Sequence, residues 1–317
     1  MDKTITGLLS LPESLLCKKE VLGKTYVANI SGNRINLSFP VCPEIDPKKP
    51  QIGINNPLLP PEIAQTWKKG GSSLDWGCLL EYPSCDCAIG LLAVSIKSKP
   101  DQTDTVAKQI YNAIEKWEYS FTDYLKLETK QKTTRNKNLH RESCTLELAV
   151  DKKYIPKKTI IPFYVSIPDK DEFASEMQVL GAIRFADSGK ELYPEWQMML
   201  TAYDARRDNQ NRLAIVNACS ALEICLVNYI LTRCQELGFD ADLFLESKFR
   251  SLGDRIKLAK NLDPAFSKDN YEKKIVKPRN DIAHNRDINP TDETTDVLLS
   301  SVEECLEHFL GRKYYDE

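Results

Sequence analysis

Histidine is scarce in this sequence, with three among 317 residues. Imidazole proton transfer near neutral pH therefore falls to His140, His284 or His308. A strong net charge is also lacking: the formal value is −3, which argues against a surface coated throughout for nucleic acid. No apolar run approaches the roughly 20 residues that a membrane helix needs. The opening Met1-Asp2-Lys3-Thr4-Ile5-Thr6-Gly7 lacks the basic start and apolar core of a secretory signal, so a cytoplasmic location and no membrane partner are expected. Paired Cys-x-x-Cys knuckles are missing from the ten cysteines. Cys78, Cys85 and Cys87, with Cys42, are accordingly read as thiols in a reducing compartment before they are read as zinc ligands. Gly23-Lys24-Thr25 ends like a phosphate loop, yet Lys18 stands where that loop needs its first glycine, so a turn is expected instead. No internal repeat is visible.

What the chain does have divides in two. At 317 residues and 42% hydrophobic content it can bury more than one core, and two domains are predicted, residues 1–170 and 171–317. In the first, residues 26–30 and 34–39 read as strands around the turn Ser31-Gly32-Asn33. Residues 89–96, 144–150 and 159–167 are further strand candidates. Residues 105–125 carry Val106, Ile110, Ile114, Trp117, Phe121 and Tyr124 at helical spacing. An α+β domain follows, with residues 126–141 as an exposed loop or frayed extension. Residues 169–190 form a connection, helical through Phe173, Met177, Leu180 and Ile183.

The second domain reads as all helical. Leu213, Val216, Ala218, Cys219, Leu222, Ile224, Val227, Ile230 and Leu231 recur at three- and four-residue steps, the pattern of a buried helix. Glu223 interrupts it, and a carboxylate among apolar neighbours calls for a partner such as an arginine. Val297, Leu298, Val302, Cys305, Leu306 and Phe309 form a later stripe behind the cap Thr291-Asp292-Glu293. Between the two lies Lys277-Pro278-Arg279-Asn280-Asp281-Ile282-Ala283-His284. Pro278 predicts a helix starting there, with Lys277 outside it. On such a helix Asn280 and His284 share a face, and the free N–H groups of its first turn favour a phosphate.

Arg279, Asn280 and His284, placed among helices at about 195–207, around Glu223 and at about 249–262, resemble the signature of the HEPN family. Its members carry an arginine, then four to six residues of which the first is polar, then a histidine. The resemblance covers about the last 125 residues, and with it the fold class becomes an α+β N-terminal domain followed by an all-α HEPN-like helical bundle. It implies a homodimer and a metal-independent endoribonuclease, acting as a toxin or antiphage defence effector, with RNA as substrate and no cofactor. In that role His284 moves the proton, Arg279 steadies the charged phosphorane, Asn280 orients, and Glu223 positions Arg279. A toxin subset is modified on a tyrosine two residues after the histidine; Arg286 stands there in this chain, so that form of antitoxin control is not expected.

Local charge adds to this reading. Lysines and arginines outnumber acids around the motif, and Lys273, Lys274, Lys277 and Arg286 are the expected RNA-binding residues. A solvated lysine-rich helix surface would look the same. The alternative function is a non-catalytic binding or dimerisation module in which Arg279 and Glu223 form a polar clasp between helices. His140, in a polar segment, and His308, on the last helix, are expected to be surface or structural residues. The first domain is a candidate sensor for a ligand, a partner or a phage-derived trigger.

Overall fold

The hairpin at Ser31-Gly32 organises one end of an antiparallel sheet that has seven strands among the described residues. Both turn residues have positive φ, 53° and 78°, as a two-residue turn matched to strand twist requires. We describe a computed structural model, for residues 2–43, 53–55, 76–80, 86–130, 145–150, 153–154, 173–240, 245, 248–266, 270–284 and 289–315. Contacts divide the chain into Met1–Gly189 and Lys190–Glu317.

In the first unit, strands β1 (Lys3–Cys17), β2 (Thr25–Ile30), β3 (Asn33–Ser38), β4 (Gly77–Leu79), β5 (Cys87–Ser98), β6 (Thr145–Val150) and β7 (Lys153–Tyr154) lie in the order β2-β3-β5-β1-β6-β7, with β4 also on β5. The long strand β1 is absent from the sequence expectations, because Gly7 and Pro12 interrupt any clean alternation. Its register against β5 shifts between Ser10 and Leu15, the irregularity that accommodates this stretch. Helix α1 (Thr103–Thr129) buries Ile110, Ile114, Trp117, Phe121 and Leu125, steps of three and four residues that make one face. It runs further than expected: residues 126–129 are helical, with Leu127 and Thr129 buried. Residues 131–141 of the expected loop, with His140, and the strand expected at 159–167 lie outside the described residues.

Helix α2 (Glu176–Ser188) opens with a capping box between Ser175 and Gln178 and packs on α1. The rings of Tyr124 and Phe185 stack at 5.5 Å. Close approach is possible because Gly181 faces Tyr124, where an added Cβ would sit 3.1 Å from the ring. The segment expected as a connection is thus part of the first unit's core, with Val179, Ala182 and Ile183 buried.

The second unit is helical: α3 (Pro194–Arg207), α4 (Asn211–Glu236), α5 (Leu252–Leu262), a π turn (Glu272–Val276) running into α6 (Lys277–His284), and α7 (Asp292–Leu310). Helix α4 is its axis, packed by α3, α5, α6 and α7. Its buried face is Ala214, Ile215, Ala218, Cys219, Ala221, Leu222, Cys225, Leu226 and Ile230. Leu213 and Val216, expected in that stripe, are instead 46% and 49% exposed. A helix apolar on nearly every side does not reveal its inward face through periodicity. On α7, Val297 is likewise exposed, while Leu298, Val302, Cys305 and Leu306 are buried. Among the described residues α4 is long and apolar enough to cross a membrane, and 56% of its apolar window is buried inside the bundle, the condition of a core helix. At the far end of the chain the Trp196 indole donates to the Lys313 carbonyl at 3.0 Å and meets Tyr314 edge-on, pinning the C-terminal segment to the start of α3.

Candidate functional site

Proline placement decides the local geometry of Arg279-Asn280-His284. Pro278 does not start a helix. The helical turn begins at Tyr271, and Lys277 has helical dihedrals of −62° and −54°. A proline inside a helix lacks an N–H, and its ring strikes the carbonyl four residues back, here Lys274. The chain relieves this by widening the preceding turn into a π helix, in which the Lys277 N–H donates to the Glu272 carbonyl five residues back. This corrects the expectation for phosphate binding. Arg279 lies beyond a continuous helical turn, so the N–H groups around it are not the free donors of a helix start.

What anchors Arg279 is α4. Its Nη2 lies 3.6 Å from Glu223 Oε1, and its Nη1 donates to Asn280 Oδ1 at 3.3 Å. Glu223 is half-buried and meets a second guanidinium: Arg255 Nη1 of α5 is 3.8 Å from Glu223 Oε2. The need of Glu223 for a cationic partner is thus met twice. Arg255 belongs to the basic stretch around the motif, but no local signal ties it to Glu223, 32 positions away, since the contact is made by the α4–α5 packing. Arg212 is a further tie, donating to the Ile282 carbonyl at 2.9 Å and so holding α6 against α4. Beneath the pair sits Cys219, one turn before Glu223. Burial pushes its thiol up to about 12, against the pull of Arg279 and with a smaller push from Glu223. It stays protonated at neutral pH and is no nucleophile.

His284 is exposed at the end of α6, one turn beyond Asn280. The structure therefore brings Arg279, Asn280 and Glu223 together and leaves the imidazole facing solvent on the same helix. Lys273, Lys274 and Lys277 are exposed along the π turn and the start of α6. An open groove beside them is lined by Asn270, Glu272, Lys273, Lys277, Asn280 and Asp281. Arg286 lies outside the described residues.

The other candidates resolve differently. His308 is bound to Asp263 at 2.8 Å, with its ring against Phe266 and Phe309, a tie between α7 and the end of α5. Cys78 is on β4 and Cys87 on β5, one register step apart, with Cys87 opposite Cys17. Cys85 lies outside the described residues. Among the described residues no group of three histidine, cysteine or acidic side chains is placed to hold a metal ion. Compared with protein-family models, with curated proteins and with solved structures, the chain matches none.

Proposed function

We propose that the C-terminal unit is a HEPN-like endoribonuclease that needs no metal. The observation that carries the reading is the Arg279 guanidinium, held by Glu223 beside Asn280 on the helix that ends in the exposed His284. In the proposed reaction the RNA 2′-oxygen forms a bond to the adjacent phosphorus and the bond to the 5′-oxygen breaks. His284 takes the proton from the 2′-hydroxyl and returns one to the leaving 5′-oxygen, giving a 2′,3′-cyclic phosphate and a free 5′-hydroxyl. Arg279 stabilises the phosphorane, Asn280 orients, and Glu223 positions Arg279. Lys273, Lys274, Lys277 and Arg286 hold the flanking phosphates. Side chains carry both proton transfers, so no cofactor is called for.

The partner that fits is a second copy. Leu213 and Val216 are exposed and Ile224, Val227 and Leu231 half-buried along one side of α4, an apolar stripe whose edge carries Glu223. A two-fold pairing there would converge two Arg279/His284 sets on one phosphate. A cytoplasmic toxin or antiphage effector, with the sheet unit sensing an antitoxin or phage-derived trigger, is the role this chemistry suits.

A second reading rests on the same ion pair. Arg279, Glu223 and Arg255 also join three helices, and a binding or dimerisation module needs no more than that. Incubating the purified chain with transfer, ribosomal and messenger RNA in a chelator, and mapping the new ends, separates the two. Cyclic phosphate ends that disappear with His284→Ala support catalysis; no cutting under any condition supports the module.

A further inference from the structure

Glu223 offers one oxygen to each of two arginines, and the two are not equivalent. Arg255 is the more buried, with 20% side-chain exposure against 38% for Arg279. It is also fixed at a second point, because its Nε donates to the Phe249 carbonyl at 3.2 Å. Arg279 is the outer member, contacting Glu223 through Nη2 and Asn280 through Nη1. A glutamate carboxylate turns easily about its last torsion. An arginine facing a free carboxylate tends to take both oxygens in a fork, and engaged that way it has fewer donors left. We propose that Arg255 is a positioning residue: by occupying Glu223 Oε2 it limits Arg279 to a single-point contact with Oε1 and keeps the remaining guanidinium N–H groups turned outward. The kinetic consequence rests on the ribonuclease reading, in which those outward groups meet the phosphorane.

The substitution Arg255→Met keeps the stem and removes the charge. Glu223 then swings fully onto Arg279, and the guanidinium is drawn back. Two measurements on the full chain test this. The first is the 15Nε resonance of Arg279, compared among wild type, Arg255→Met, Arg255→Lys and the remote control Arg233→Met. The resonance should move in Arg255→Met, return part of the way in Arg255→Lys, and stay put in the control. The second is RNA cleavage, where Arg255→Met should lower kcat about tenfold with KM changed less than about twofold, since an arginine misplaced by about 1 Å weakens transition-state contact more than binding. An Arg279 resonance unchanged by Arg255→Met overturns the proposal, whatever the kinetics. A moved resonance in a protein that cuts no RNA upholds the positioning of Arg279 and sinks the ribonuclease reading alone.

Discussion

The Lys277 amide donates to the Glu272 carbonyl, five residues back, immediately ahead of Pro278. That wide turn sets which way the following helix faces, because one extra residue per turn rotates everything after it by about 100° relative to an α-helix. Pro278→Ala supplies the missing N–H and removes the ring, so the turn should relax to α. An interior proline costs about 3 kcal/mol before relief; with part of that recovered, the melting temperature should rise by about 2–6 °C. Arg279 should meanwhile lose its line to Glu223, and RNA cleavage should fall at least about tenfold. Melting curves and cleavage rates on the same preparation check the opposed directions.

Asp187 carries a prediction about the first unit. Its Oδ1 accepts the Trp117 indole N–H at 2.8 Å, and burial raises its carboxyl above the usual range, with the Trp117 bond opposing. A carboxyl raised on folding favours the protonated form in the folded state. Its contribution is present below the unfolded pKa, near 4, and is lost as pH rises through the folded value. Asp187→Asn keeps the acceptor and removes the charge. It should raise the unfolding midpoint at pH 7, and the difference from wild type should vanish below about pH 4.

The tie between His308 and Asp263 titrates in the other sense. The His308 contact holds the Asp263 carboxyl below its ordinary range, so its stabilisation is present above the unfolded pKa and is lost as pH falls through the folded value. Urea melts of wild type and Asp263→Asn, followed from about pH 5 downward, should converge as pH drops below about 4. A gap that stays fixed down to pH 2 contradicts this.

Legibility in the sequence followed the range of the interaction that fixes each feature. The Ser31-Gly32 hairpin and the α1 stripe from Ile110 to Leu125 were readable because turn chemistry and period are local. Strand β1 was not, since its place at the centre of the sheet comes from pairing with β5, 70 or more residues on. The existence of α4 was plain, but its inward face was not: Leu213 and Ala214 are both apolar, and packing against α3, α5, α6 and α7 chooses between them. Within the candidate site, Arg279, Asn280 and His284 stood out by spacing, and Glu223 by its breach of an apolar run. Arg255 joins them through tertiary structure, and at Pro278 the usual place of a proline in a first turn is outweighed by a helix already under way.

The outward side of α4 gives a prediction about assembly. Because Leu213 and Val216 are exposed, replacing both with glutamate removes little burial within the unit, so the fold should persist with a melting temperature changed by less than about 3 °C. If a second copy covers the stripe, the double variant should run as a monomer in analytical ultracentrifugation where wild type is a dimer. Equal sedimentation of the two would place the contact elsewhere.

The central claim is that His284 and Arg279 break RNA by proton transfer and charge stabilisation, and the most direct measurement is cleavage of a defined RNA in excess chelator by wild type, His284→Ala and Arg279→Ala. Wild type should leave 2′,3′-cyclic phosphate and 5′-hydroxyl ends. Each variant, folded by circular dichroism, should lose at least about a hundredfold in rate, the scale of a general acid–base or oxyanion contact. A His284→Ala protein that cuts at the wild-type rate, or cutting that appears only with added magnesium, would contradict the account.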